Sequence, residues 1–371
     1  MIELEVQKYL RSGKSPDDLK EAYGINYARH NRFPKLITFK YDQLDSHSHR
    51  TDPLVRECRG LILDESLNWR LVAYPFKRFF NFGDGVADEI NWDKACVQEK
   101  LDGSLAILYF FREEWRIASS GTPDAQGMFG LNDQLTMQDL FWQTLGNQVG
   151  WNWMQRMLAR LPQTYTFMFE LCTIHNRVVV RHEKDKLVLL GARDLNTHQE
   201  FRPGEVIHLF PNTEIPQVFA GGSAKEVIEM LYDMDGQTQE GFVVYDGTNR
   251  IKMKCPSYTA LHHLTSNFTS MRLIMQNVIM REETAEVAAV FPEYADVLWE
   301  ADKKYHDLIS GLEEEYRVNK DIENQKDFAL AVKNSQCSGA LFALRAGKVS
   351  SIESFIAQLP ADKVLKLLGY K

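Results

Sequence analysis

Short apolar runs bounded by turn residues dominate the chain up to about Cys255. They are RGLILDE from Arg59, RLVAYPF from Arg70, LAILYFF from Leu105, WRIAS from Trp115, YTFMFEL from Tyr165, RVVVRH from Arg177, KLVLLGARD from Lys186, EGFVVYD from Glu240 and RIKMK from Arg250. Their length and their β-branched and aromatic content predict strands. Two intervening stretches, DQLTMQDLFWQTLGN and SAKEVIEMLYDM, have helical spacing. After Pro256 the character changes: YTALHHLTSNFTSMRLIMQNVIM, ADVLWEADKKYHDLISGLEEEYR and SIESFIAQLPADKVLKLLG carry apolar residues near a 3.6 period. The expectation is an α+β domain over 1–255 and an all-α domain over 256–371.

Length supports that division, since 371 residues exceed one ordinary core. No apolar run approaches the roughly 18 residues of a membrane span, and the start MIELEVQKYLRSGKSPDD has acidic residues where a signal peptide needs a basic segment. A cytosolic protein is expected. Five scattered cysteines with no Cys-x-x-Cys pair indicate neither a disulfide framework nor a zinc knuckle. The net charge of −8 argues against nonspecific coating of nucleic acid. Local basic stretches survive it: YARHNRFPKLITFK carries Arg29, Arg32, Lys35 and Lys40, and RIKMK packs three cations into one short strand.

One stretch is hard to read as structure alone. In ACVQEKLDGSLAILYFF a strand ends on charged Lys100 and turns through Asp102-Gly103-Ser104. The turn accounts for Asp-Gly and leaves the lysine unexplained. Downstream stand Glu170 at the end of YTFMFEL, Glu240 opening EGFVVY, and Lys252 with Lys254, two apart and therefore on one face of a strand. Such a group can perform nucleotidyl transfer. A lysine attacks only when neutral, so its pKa must fall about three units from roughly 10.4, and burial with neighbouring cations acts in that direction. The same cations neutralise a departing pyrophosphate, while carboxylates suit a hydrated divalent metal.

These residues resemble a known family, the covalent nucleotidyltransferases that include ATP-dependent DNA and RNA ligases and mRNA capping enzymes. EKLDGS is similar to the nucleophile motif, FMFEL to the strand with the sugar-binding glutamate, EGFVVY to the metal-site strand and IKMK to the closing lysine pair. Within that superfamily the chain is most similar to the tRNA-repair ligases of the T-even bacteriophage RNA ligase 1 type. That likeness extends through ECRGLIL, KRFFNFGD, ELCTIHNRVVV and LVLLGARD to the helical end.

The resemblance implies an antiparallel-sheet nucleotidyltransferase domain followed by a helical RNA-specificity domain. It implies ATP with Mg²⁺, or alternatively Mn²⁺, as cofactors. Lys100 becomes lysyl-AMP and Asp102 orients it; Gly103 allows close approach to the nucleotide. Glu99, Arg59, Arg78, Phe80 and Tyr258 contact nucleotide, and Glu170 binds ribose. Glu240, with Glu170, positions metal through water, and Lys252 and Lys254 grip phosphates. The implied substrate is RNA with 5′-phosphate and 3′-hydroxyl ends, cleaved tRNA among them; the protein is expected to be a monomer, in the host cytosol if phage-encoded. Two positions depart from the pattern: Arg78 stands where the family has lysine, and Ser120-Gly121 stands where it has lysine-glycine.

Two rivals remain open at this level. A nick-sealing DNA ligase or capping guanylyltransferase places an OB-fold after the closing lysines, which would read as five short strands where this chain reads as helical. A non-catalytic RNA-end-binding module would have no need for Lys100.

Overall fold

The computed structural model describes residues 2–42, 47–129, 135–175, 177–265, 271–281 and 284–370. Strands β1 (Ile25–Arg29), β2 (Leu36–Tyr41), β3 (Arg59–Asp64) and β4 (Arg70–Ala73) form a four-stranded antiparallel meander. Next come β5 (Phe80–Asn81), β6 (Cys96–Lys100), β7 (Ser104–Phe111), β8 (Glu114–Ser119), and the small ribbon of β9 (Met128–Phe129) and β10 (Leu135–Thr136). The remaining strands are β11 (Tyr165–Cys172), β12 (Lys186–Asp194), β13 (Glu200–Phe201), β14 (Val218–Phe219), β15 (Gly241–Tyr245) and β16 (Arg250–Lys254). A second sheet has the order β13-β12-β11-β7-β8 and a third β14-β6-β15-β16-β5. Every pairing in these two sheets is antiparallel except that of β16 with β5.

The apolar run of β7 lacks alternation because both of its faces are covered. Ala106 and Leu108 join Phe167, Phe169, Leu140, Phe141 and Leu145 in a core beneath the helices Met137–Val149 and Trp151–Leu158. Ile107, Tyr109 and Phe111 face the other way and pack with Leu36, Ile62 and Val72 of the first sheet. Each fully buried large apolar side chain here is worth about 1.5–3 kcal/mol relative to exposure. A third core sets Val97, Phe242, Val244, Ile251 and Met253 of the third sheet against Val227 and Leu231 of the helix Ala224–Tyr232, which Ser223 caps.

One expected strand does not form. In RVVVRH the backbone N–H groups of Val179 and Val180 donate to a carboxylate, Asp102 Oδ2, at 2.8 and 2.7 Å, and no strand covers these residues. A buried carboxylate has taken the donors that a ladder would use.

The chain divides into two compact units, Met1–Leu261 and His262–Lys371. The division falls inside the helix Pro256–Thr265. Among the described residues the second unit contains helices and no strand, so the five strands of an OB-fold do not follow β16. Its longest helix, Ala295–Asn319, buries Leu298, Ala301, Tyr305, Leu308, Ile309 and Leu312 on one stripe. The α+β architecture with helices after the sheets is the one expected. No described helix is long and apolar enough to cross a membrane.

Candidate active site

The chain changes sheets at Lys100. That residue ends β6 in the third sheet, and after Leu101, Asp102 and Gly103 the chain enters β7 of the second. Side chains from both sheets therefore meet beside it. In the third sheet Lys100 lies opposite Gly241, and Gly241 opposite Lys254, with Glu240 immediately preceding. Lys252 lies two residues from Lys254 on the same face, while Ile251 and Met253 are buried on the other. From the second sheet β11 brings Glu170, opposite Leu105 of β7.

Glu240 is the hub. Its Oε2 accepts from Lys100 Nζ at 2.6 Å and its Oε1 pairs with Lys254 Nζ at 3.0 Å. The carboxylate is almost wholly buried, at 4% side-chain exposure, so two cations share one desolvated anion. The two lysines and Glu170 line a cavity of about 310 Å³ together with Arg59, Lys252 and Glu99. That volume suits a small-molecule site. Burial, then the charges of Lys254 and Lys100, push the Lys252 ammonium down to about 8. Burial pushes the Glu170 carboxyl up to about 7, with Lys100 and Arg59 opposing. Lys100 itself sits in an ion pair with Glu240. Among the described residues Arg59 Nη1 is buried with no hydrogen-bond partner; an anion entering the cavity would satisfy it.

Of the twelve residues singled out in the sequence, the structure gathers Lys100, Glu99, Glu170, Lys252, Lys254 and Arg59 around this cavity, with Glu240 holding two of them. The others lie differently. Asp102, expected to orient the lysine, is 5% exposed. Its Oδ2 takes the Val179 and Val180 N–H groups and its Oδ1 accepts from the Tyr258 hydroxyl at 2.8 Å. It fixes the backbone beside Lys100. Tyr258, expected at the nucleotide, is 1% exposed, and its ring lies 5.2 Å from Lys254 Nζ. Burial and the neighbouring carboxylates raise its phenol, keeping it a donor.

Phe80 is buried away from the cavity, and it is Phe79 that forms the wall. Arg78 stacks on the Tyr41 ring at 3.9 Å and opens onto a different cavity. Gly103 is a close-approach position, but toward protein: a Cβ there would meet the Leu171 carbonyl oxygen at 2.6 Å.

Sequence reasoning missed Lys40, Tyr41, Phe79 and Arg250, all of which line the cavity. Lys40 had a signal, the basic stretch ending at it. It also bears on the departure at Ser120, which lines the same cavity. A Cβ at the adjacent Gly121 would lie 3.9 Å from Lys40 Nζ, so the ammonium of Lys40 stands beside the turn where the family pattern has its lysine. Among the described residues no three His, Cys, Asp or Glu form a metal-binding group. Glu170 and Glu240 are the carboxylates expected to position a metal, and hard oxygen donors of that kind suit a divalent cation that keeps several waters.

The family model described as RNA ligase matches residues 57–258. The chain is 27% identical over 92% of its length to a protein of Autographa californica nuclear polyhedrosis virus named for a polynucleotide kinase/RNA ligase. It spans about half of that relative, 49%. It is 24% identical to an RNA ligase of Rhodothermus phage RM378, across 83% of this chain and 85% of that one. A solved RNA ligase of Naegleria gruberi with PPi is 17% identical, covering 46% of this chain and 52% of that one at a TM-score of 0.36.

Proposed function

The chain belongs to the RNA ligase family, and from that premise we propose that it is an ATP-dependent RNA ligase sealing 5′-phosphate to 3′-hydroxyl ends. The reaction runs in three in-line phosphoryl transfers. Lys100 Nζ attacks the α-phosphate of ATP, forming a phosphoramidate as pyrophosphate leaves. The AMP passes from Lys100 to the 5′-phosphate of RNA. The 3′-hydroxyl then attacks that activated phosphate, and AMP departs.

The observation that carries the reading is the Glu240 hub, with Lys100 at 2.6 Å and Lys254 at 3.0 Å on its two oxygens beside a cation-lined cavity. Glu240 holds the nucleophile against its cavity wall and is the nearest base for the proton that Nζ must shed. Lys252, Lys254 and Arg59 grip phosphates, and the unpartnered Nη1 of Arg59 gains its acceptor on binding. Glu170 holds the ribose. Lys40 supplies beside Ser120 and Gly121 the cation that the family pattern places in that turn. Glu240 and Glu170 would hold a divalent ion, Mg²⁺ or Mn²⁺, through water, and that ion would supply charge neutralisation for the departing pyrophosphate. Positioning and this clamp of cations provide most of the catalysis.

In the same proposal residues 1–255 carry adenylyl transfer and 256–371 confer preference for an RNA class, broken tRNA among the candidates. The enzyme works as a monomer in the cytosol, that of the host if phage-encoded. The test is to supply RNA already carrying 5′-AMP. Lys100→Ala should seal it without ATP while failing on 5′-phosphate RNA with ATP. Failure of the unaltered protein on both substrates would remove the ligase reading.

A further inference from the structure

Behind the wall formed by Phe79 and Arg250 lies a second cavity, of about 430 Å³, that the reaction described above does not use. Five cations line it: Arg56, Lys77, Arg78, Arg193 and Arg250. Only two carboxylates, Asp88 and Glu200, line it with them, so its walls carry a net +3 in a chain of net −8.

The arginines are held in place. Asp88 accepts from both terminal nitrogens of Arg56, at 2.9 and 2.5 Å. Glu200 bridges Arg193, at 2.6 Å, and Arg250. Among the described residues Arg193 Nε and His198 Nε2 are buried without hydrogen-bond partners. Lys77, by contrast, is exposed at the mouth and has no ion pair among the described residues. A rigid basic floor with unmet polar atoms and a free lysine at the rim suits successive phosphates of one strand rather than a metal or an apolar ligand.

We propose that this cavity binds the backbone phosphates of single-stranded RNA as the strand approaches the nucleotide cavity across Phe79. The proposal rests on the ligase reading and names the path of its substrate. Arg78 then belongs to the RNA track. Arg250, shared by both cavities, joins the two sites.

The experiment measures binding of a short 5′-phosphorylated single-stranded RNA at several salt concentrations, for the unaltered protein and for Lys77→Ala, Lys77→Glu and Lys77→Arg. Covalent AMP transfer from ATP to the protein is measured in parallel. Loss of one phosphate contact should lower the salt slope by about 0.7 and weaken binding about fivefold to tenfold at low salt. Lys77→Glu should weaken it further and Lys77→Arg should restore it, with covalent AMP transfer unchanged in all three. Unchanged RNA affinity and slope in Lys77→Glu would overturn the proposal. Equal loss of AMP transfer and RNA binding would overturn it too, by assigning the cavity to ATP. Absence of AMP transfer in the unaltered protein would count against the ligase reading, and RNA affinity would still decide the cavity.

Discussion

The Tyr258 hydroxyl donates to Asp102 Oδ1 at 2.8 Å, tying the first helix after β16 to the turn that follows Lys100. The other oxygen of the same buried carboxylate holds two backbone N–H groups. Removing one donor from a buried charged acceptor costs about 1.5–3 kcal/mol. Tyr258→Phe should therefore lower Tm by several degrees and reduce AMP transfer modestly. Asp102→Ala should do both more severely, since it frees three donors. Thermal denaturation alongside the rate of AMP transfer checks this; an Asp102→Ala protein of undiminished Tm would show the carboxylate to be dispensable to the fold.

Lys40 and Ser120 share one cavity wall, with the Lys40 ammonium beside Gly121. Lys40→Ser should raise KM for ATP about tenfold, the equivalent of about 1.4 kcal/mol. Adding Ser120→Lys to that variant should recover much of the loss by returning a cation to the same spot. Steady-state kinetics of the single and double variants decide it. A KM indifferent to Lys40 would leave its ammonium a bystander.

Lys252, at about 8, titrates within reach of experiment. Its pKa is depressed, so the bare site favours the neutral amine above about pH 8, whereas phosphate binding favours the cation. ATP affinity should fall as pH rises through that value, and binding above it should take up a proton. Lys252→Met should abolish the uptake. Calorimetry in two buffers of different ionisation enthalpy measures it; uptake that persisted in Lys252→Met would point to another group.

Gly103 faces the Leu171 carbonyl, 2.6 Å from where a Cβ would stand, with Glu170 Cγ at 3.0 Å. Gly103→Ala must push β11 away from the Lys100 turn, at a cost of about 1–3 kcal/mol. Both stability and AMP transfer should drop. A variant of normal Tm and rate would mean that the two sheets tolerate the displacement.

The gathering of Lys100, Glu170, Glu240, Lys252 and Lys254 was legible because each is a charge at the end, or on one face, of a short strand, a place where burial alone does not put it. The aromatic pair was not. Phe79 and Phe80 point to opposite sides, and which one faces the cavity depends on the register of β5 against β16, where a one-residue slip exchanges them. Asp102 read as part of a turn because the donors it binds come from Val179 and Val180, far along the chain. The same long-range bond cost the expected strand at RVVVRH. Lys40 announced itself as a basic residue, but only the pairing of β2 with β3, which sets it opposite Arg59, brings it to the cavity.

The central measurement is covalent transfer of label from α-labelled ATP to the protein in Mg²⁺, with α-labelled GTP and Lys100→Ala as comparisons. Protein freed of any bound AMP by pyrophosphate should take label from ATP alone. That label should survive denaturation, be released by acid and be absent from Lys100→Ala. Label from GTP would indicate capping chemistry instead, and no label from either nucleotide would contradict Lys100 as a nucleophile.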